Sequence, residues 1–186
     1  MNNKSVSTAT IGYMCFALSF WLLGVYLTRW TPSISLSAIW AIHMPLSILL
    51  LVMGILAFVN GRSLDTIVFF GGSALLWSTH SIVVLPVSGH DASSPGFDGW
   101  FFIAWTAFFA WVWVGALKSD FWRMQFLLSL WLTHFVLIFD NFFYEVHVIE
   151  IIGGYLCLVT GLLAAVVSAK GIISGRIAED GRGASG

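Results

Sequence analysis

Six long apolar runs, separated by short polar or charged segments, dominate the pattern of hydrophobic and polar positions. They lie at residues 9–28, 37–59, 66–87, 99–117, 122–143 and 149–172. A helix needs roughly 17–25 mostly apolar residues to cross a bilayer, and each run has that length. Strands are disfavoured because an open strand would leave backbone polar groups unpaired in lipid. The pattern predicts an all-α membrane protein, a bundle of six transmembrane helices.

The cationic residues set the expected orientation. Under a six-span arrangement one side of the membrane carries Lys4, Arg62, Lys118, Arg123, Lys170, Arg176 and Arg182. The opposite side carries Arg29 alone. The positive-inside rule therefore predicts that both termini are cytoplasmic and that the protein lies in the inner (plasma) membrane. We expect residues 1–173 to form a single transmembrane domain and the Gly-rich residues 174–186 to form a flexible cytoplasmic tail.

Composition narrows the class of protein further. Hydrophobic residues make up 59% of the chain and charged residues 9%, whereas soluble domains carry about 25% charged residues. A net charge of −1 argues against a nucleic-acid partner, which requires a basic surface. Cys15 and Cys157 lie inside apolar runs without metal-binding spacing, so we expect buried free thiols. Because we find no nucleophile–base motif, P-loop or catalytic carboxylate pair, we expect no enzymatic activity, cofactor or metal.

Ionisable side chains at membrane depth are costly and are therefore candidates for function. His43, His80 and His134 fall at similar depths in the second, third and fifth runs. Three interpretations stay open: separate hydrogen-bonded histidines, a proton-responsive site, or a haem or metal site. His147, at the start of the sixth run, is a fourth proton-responsive candidate.

A polar segment joins the fifth and sixth runs, and small residues follow it. The polar residues are Asp140, Asn141, Glu145, His147 and Glu150, which form either a solvated turn or the mouth of a pathway. Small residues then recur at every fourth position: Gly153, Cys157, Gly161, Ala165 and Ala169. Such a face predicts close helix packing, either within the chain, at a subunit interface or beside a narrow pore.

Three short motifs carry a resemblance to a known family. The sixth run begins with an acidic residue followed by two aliphatic residues and Gly-Gly-aromatic, at residues 150–155. Residues 7–12 read Ser-Thr-Ala-Thr-Ile-Gly, and residues 115–118 read Gly-Ala-Leu-Lys. These motifs resemble those of the acetate uptake transporter family, the bacterial succinate–acetate permeases and their fungal acetate/ammonia relatives. Thr8 and Thr10 stand where that family has prolines.

The resemblance implies a transporter or channel for small monocarboxylates such as acetate, proton-linked and assembled as a homo-hexamer. Partners would be a small-molecule solute and the lipid bilayer. By position in the family's motifs, the substrate pathway would include Glu150, Gly153, Gly154 and Tyr155. It would also include Gly72 or Ser73, where the family has the aromatic residue of its constriction.

Two other functions remain open at this point. One is a channel for a small neutral solute such as urea or ammonia, favoured because the runs contain no deeply placed cation to hold a carboxylate. The other is a non-transport membrane subunit that binds haem or a partner through His43, His80 and His134.

Overall fold

The computed structural model describes residues 5–31, 36–87, 95–143 and 146–183. Within these ranges the side chains of residues 5–8, 36, 37, 40, 80–87, 95, 96 and 175–183 are left out of the description. The described residues form six helices: α1 Ser5–Leu27, α2 Leu36–Val59, α3 Ser63–Val87, α4 Pro95–Gly115, α5 Phe121–Phe142 and α6 His147–Gly183. The predicted all-helical fold is confirmed, and α6 continues well beyond residue 172. The flexibility of residues 174–186 stays a prediction.

The helices form a closed ring in which each helix packs against the next in sequence and α6 returns to α1. Successive helices run in opposite directions, so the ring has two distinct ends. We call one the cationic end, since it carries Arg62, Lys118, Arg123 and Lys170. We call the other the acidic end, since it carries Asp98, Asp140 and Glu150. The pair α1 and α6 packs most extensively, whereas the seam between α3 and α4 is the loosest junction in the ring.

Glycines bring the backbones of α1 and α6 into direct contact. A Cβ atom placed on Gly161 would lie 3.0 Å from the carbonyl oxygen of Ala17 and 3.0 Å from the amide nitrogen of Trp21. One placed on Gly154 would lie 2.8 Å from the amide nitrogen of Thr28. Because the obstructing atoms are backbone atoms, a larger residue at either position would force the helices apart. The small-residue face predicted for the sixth helix is therefore used within the chain.

The register of that face differs from the predicted one. The buried small residues of α6 alternate in steps of three and four: Gly154, Cys157, Gly161, Ala164 and Ser168. The predicted every-fourth stripe drifts around the helix, because four residues exceed the 3.6 residues of one turn. Gly153 consequently packs against Leu137 of α5, and Ala169 is exposed.

A glycine turn joins α2 to α3. Gly61 has φ +68°, which glycine adopts without steric cost. Its amide bonds to the carbonyl of Phe58 at 3.0 Å, and the amide of Arg62 bonds to the carbonyl of Ala57 at 2.9 Å. This double bond pattern is a Schellman motif, and it satisfies carbonyls that the end of α2 would leave unpaired. The turn also places Arg62 directly before Ser63, the first residue of α3.

The outer surface of the ring is apolar, as expected of a protein in lipid. Phe58, Trp111 and Leu162 are each more than half exposed. Among the described residues, five helical segments are long and apolar enough to cross a membrane: Ala9–Leu27, Ala41–Val59, Phe97–Gly115, Phe121–Phe142 and His147–Ser174. The chain is thus a multi-pass membrane protein, with the 25-residue α3 completing the ring beside these five.

Replacing Gly161 with leucine should destabilise the bundle, because the added side chain meets the α1 backbone. Overpacking of this kind typically costs about 1–3 kcal/mol. The measurement is the thermal unfolding midpoint of the purified protein in detergent. Gly115→Leu is the matched control, since a Cβ atom there meets nothing within 4 Å. Equal midpoints for the two variants would contradict the close approach of α1 and α6.

Candidate functional site

A cavity of about 200 Å³ enters the ring from the acidic end. Helices α1 to α5 all contribute to its lining: Ser19, Phe20, Leu23, Tyr26, Leu27, His43, Leu75, Leu76, Thr79, Asp98, Phe101, Phe102, His134, Leu137, Asp140 and Asn141. We call it the acidic-end cavity. Pockets for drug-sized ligands span roughly 300–1,000 Å³, so this volume suits a small solute.

The mouth and the floor of this cavity differ in chemistry. Asp98, Asp140 and Asn141 lie at the helix ends that form its mouth. His43 and His134 lie deeper and are almost fully buried, at 1% and 2% exposed. The walls between are mostly aliphatic and aromatic, so a solute would pass from an acidic mouth into an apolar chamber.

Backbone carbonyls orient both floor histidines. His134 Nδ1 lies 2.7 Å from the carbonyl oxygen of Leu130, and His43 Nε2 lies 3.1 Å from that of Ser19. A carbonyl only accepts, so each of these nitrogens carries a proton. The neutral His134 ring therefore keeps Nε2 as an acceptor. Its ring also packs against Phe109, with centroids 4.8 Å apart.

Below the cavity the ring is filled by four aromatic side chains, which we call the aromatic block: Tyr13, Phe16, Phe69 and Phe126. Phe126 meets Phe16 and Tyr13 edge-on, with centroids 5.4 and 5.5 Å apart. Tyr13 meets Phe69 at 5.3 Å, also edge-on. All four residues are fully buried. Phe20 extends this stack toward the acidic end, since it lines the acidic-end cavity and its ring centroid lies 6.4 Å from that of Phe16.

A second cavity, of about 300 Å³, lies beneath the aromatic block at the cationic end. Its lining comprises Ala9, Thr10, Tyr13, Arg62, Asp120, Arg123, Val167, Lys170, Gly171 and Ser174. We call it the cationic-end cavity. Tyr13 belongs both to this lining and to the aromatic block, so aromatic rings separate the two cavities along the axis of the bundle.

The structure places Glu150 beside the acidic-end cavity and outside its described lining. Its Oε2 accepts a hydrogen bond from Arg29 Nη2 at 2.7 Å and lies 3.6 Å from His147 Nδ1. These contacts join the end of α1 to the start of α6. Arg29 adopts a left-handed backbone conformation, φ 57°, where it makes this contact. A pathway role for Glu150 and His147 stays a prediction.

The other predicted pathway residues pack between helices or face outward. Gly153 and Gly154 contact α5 and α1, as described above, and Tyr155 is half exposed against Trp30, with ring centroids 6.2 Å apart. Gly72 faces the aromatic block, since a Cβ atom there would overlap the ring of Phe16. The Ser73 carbonyl accepts from Ser47 Oγ at 2.9 Å. Neither cavity's described lining includes any of these residues.

The proton-responsive candidates are partly brought together. His43 and His134 share the acidic-end cavity, whereas His147 lies on the surface near Glu150. The side chain of His80 lies outside the described residues. Among the residues that the structure describes, no group of three or more His, Cys, Asp or Glu could hold a metal ion. Cys15 and Cys157 are buried free thiols.

Comparisons with known proteins bear on the fold. The sequence matches no protein-family model and no curated protein. One solved structure, that of the bacterial acetate channel SatP, is similar over 91% of this chain and 93% of that chain, with a TM-score of 0.85. The chain has the fold of that channel. The two sequences are 20% identical, so the likeness concerns the fold alone.

Sequence reasoning missed most of the lining of both cavities. The apolar lining residues look like any others in the sequence, as Phe20, Phe102 and Leu76 show. The sequence used three of the cations only to orient the protein: Arg62, Arg123 and Lys170. A signal was available for the cations, because Asp65 lies three residues after Arg62 and directly before the third apolar run. An acidic residue at the edge of a membrane span is stabilised by a cationic partner, and Arg62 is nearby in the sequence.

A thiol introduced into the acidic-end cavity should react with a small reagent. Leu76 lines the cavity although it is only 5% exposed, so Leu76→Cys should be modified by methyl methanethiosulfonate. Leu130→Cys is the matched control, since Leu130 is fully buried and outside the described lining. The measurement is the mass of the protein after treatment in membranes. Equal modification of both variants, or of neither, would contradict an open cavity beside Leu76.

Proposed function

We propose that this chain is a divergent member of the acetate uptake transporter family, and that it passes small monocarboxylates such as acetate along the axis of its own helical ring. The observation that carries the proposal is the axial order of acidic-end cavity, aromatic block and cationic-end cavity. The fold shared with an acetate channel supports it, and so do the motifs at residues 7–12, 115–118 and 150–155. No catalytic role is proposed.

The chemistry of the acidic-end cavity favours the protonated acid as the species that enters. Its described lining contains no Lys or Arg and has Asp98 and Asp140 at the mouth. Moving a carboxylate anion from water into an apolar chamber without a cation is expensive. The neutral acid avoids that cost, and its hydroxyl group finds a hydrogen-bonding partner at His134. Uptake by this route carries one proton with each carboxylate, which makes it proton-linked.

A channel for a small neutral solute such as urea is the second candidate. The same apolar, cation-free lining favours it, because that lining accepts any uncharged polar molecule of suitable size. The cationic-end cavity favours the monocarboxylate, since its Arg and Lys side chains give a neutral solute no advantage.

The proposed setting is the inner (plasma) membrane, with six spans and with the cationic end in the cytoplasm. Cationic residues lie in the connection between α2 and α3, in the connection between α4 and α5, and on α6. They support this orientation through the positive-inside rule. By resemblance to the family, the assembly is a homo-hexamer in which each subunit keeps its own pathway. The apolar outer surface of the ring would then be shared between lipid and neighbouring subunits.

Cysteines at the two ends should be labelled from opposite sides of the membrane. Val146, between α5 and α6, is exposed at the acidic end, and Ser119, between α4 and α5, lies at the cationic end. In intact cells a membrane-impermeant maleimide should modify Val146→Cys and leave Ser119→Cys unmodified. Permeabilised cells provide the control, since both variants should then react. Labelling of Ser119→Cys alone in intact cells would invert the orientation.

Acetate uptake into proteoliposomes should rise as the external pH falls from about 7.5 to 5.5. Over this range the neutral fraction of a small carboxylic acid increases nearly tenfold per pH unit, because the pKa of such acids lies below about 5. Urea uptake in the same vesicles should be slow and should not depend on pH. Protein-free vesicles correct for diffusion of the acid through lipid. Fast urea uptake with background acetate uptake would replace the monocarboxylate with a neutral solute.

Two matched variants test which acidic group forms the mouth of the pathway. Asp140 lines the acidic-end cavity, whereas Glu150 is paired with Arg29 beside it. We expect Asp140→Asn to change the dependence of uptake on pH more than Glu150→Gln does. The opposite order would place the mouth at Glu150 and His147, where the sequence motif predicts it.

A further inference from the structure

A buried carboxylate, that of Asp65, lies next to the cationic-end cavity and contacts two of its lining residues, Tyr13 and Arg62. Asp65, only 2% exposed, accepts a hydrogen bond from Tyr13 at 2.9 Å and pairs with Arg62 Nη2 at 2.7 Å. The Tyr13 contact uses Oδ1 and the Arg62 contact uses Oδ2, so both oxygens of the carboxylate are engaged. A carboxylate held in this way fixes the positions of Tyr13 and Arg62 beside the cavity.

Arg123 is surrounded by anions that it does not reach at hydrogen-bonding distance. Its Nη1 lies 3.8 Å from Asp65 Oδ1, and its Nε lies 3.5 Å from Asp120 Oδ2. A charge-assisted N–H···O bond is about 2.7–2.9 Å long, so both separations are too great. Nε is buried and makes no hydrogen bond to any described residue. Nε therefore has donor capacity that no described residue uses, and Arg123 itself lines the open cavity.

Among the side chains that the structure describes, the charges around this cavity do not balance. The described charged side chains that line or back it are three cations, Arg62, Arg123 and Lys170, and two carboxylates, Asp65 and Asp120. Lys170 Nζ lies 3.6 Å from Asp120 Oδ1, which leaves both oxygens of Asp120 facing a cation. One positive charge is left over, and it belongs to a group of cations that converge on about 300 Å³ of space.

We propose that the cationic-end cavity binds one small carboxylate anion, which accepts hydrogen bonds from Arg123 and lies within the field of Lys170. A single negative charge matches the single excess positive charge. The planar guanidinium fits the two oxygens of a carboxylate, which favours this class over spherical anions. The identity of the anion as the transported monocarboxylate rests on the proposed function; the existence of the anion site does not.

The position of the site gives it a defined role. A neutral acid that passes the aromatic block meets Tyr13 and then the cations, where the ionised form is the better-bound one. Release of its proton to cytoplasmic water leaves the carboxylate held by Arg123. Return through the aromatic block requires the carboxylate to give up these contacts and take up a proton again, so the rate of return falls as the proton concentration on the cationic side falls.

The test observes Arg123 directly. Full-length protein is labelled with ¹⁵N-arginine in phospholipid nanodiscs, and the Arg123 Nε signal is assigned by its loss in Arg123→Lys. Sodium acetate is titrated against sodium chloride of equal ionic strength and against acetamide, the uncharged analogue. We expect a saturable shift of the Arg123 signal with acetate, and none of that size with chloride or acetamide. Arg29, at the acidic end, should not shift.

Two lysine variants provide the matched comparison. Lys170→Gln removes a cation from the cavity, and Lys118→Gln removes an exposed cation from the same end of the bundle. Lys170→Gln should weaken acetate binding about two- to fivefold, the effect of one partly exposed charge pair, and Lys118→Gln should not. Equal weakening by both, no shift at Arg123, or an equal shift with chloride or acetamide would each overturn the proposal.

The flux measurement separates this proposal from the proposed function. Saturation at Arg123 without acetate uptake would retain the anion site and reject the transport function. Acetate uptake without any response at Arg123 would retain the function and reject the site.

Discussion

The close approach of α1 and α6 is the contact on which the rest of the bundle depends. Apolar helices in lipid gain little from hiding hydrophobic surface from one another, so they associate through packing of small residues. Gly154 and Gly161 supply this contact by letting the α1 backbone rest on α6. Because this face of α1 contacts α6, side chains on another face of α1 point into the centre of the ring. Tyr13 and Phe16 then meet Phe126 at the centre of the ring, and the axis becomes aromatic.

Two compartments of opposite chemistry lie on either side of this aromatic centre. One is apolar with carboxylates at its mouth, and the other gathers Arg62, Arg123 and Lys170 in a small space. Such an arrangement treats the two protonation states of a weak acid differently at its two ends. In the proposed channel, selectivity would then arise from the separation of charge along the axis, and no single residue would have to bind the solute strongly along its whole path.

The helices were predictable from the sequence because the hydropathy of each run is high and its length is set by the bilayer. Their rotation was not, because runs that are apolar on every side do not show which face turns inward. For this reason the sequence does not distinguish Phe20 and Leu76 from lipid-facing residues. The predicted face of α6 likewise includes Ala165 and Ala169, where the structure has Ala164 and Ser168. His43 and His134 were found because a polar side chain at that depth stands out wherever it points. Arg123 was recognised for its charge, but its relation to Asp65 depends on a contact between distant segments.

The loose junction between α3 and α4 has a mechanical consequence. At this seam the ring of Phe108 fills the space beside Gly71, and the backbones of the two helices have few close contacts elsewhere. Regions of low contact density are those that open at least cost in free energy. The α3–α4 seam is therefore the junction of the ring that costs least to open, and the α1–α6 pair is the one that costs most. Any widening of the axis would begin at this seam and would separate the ring of Phe108 from Gly71.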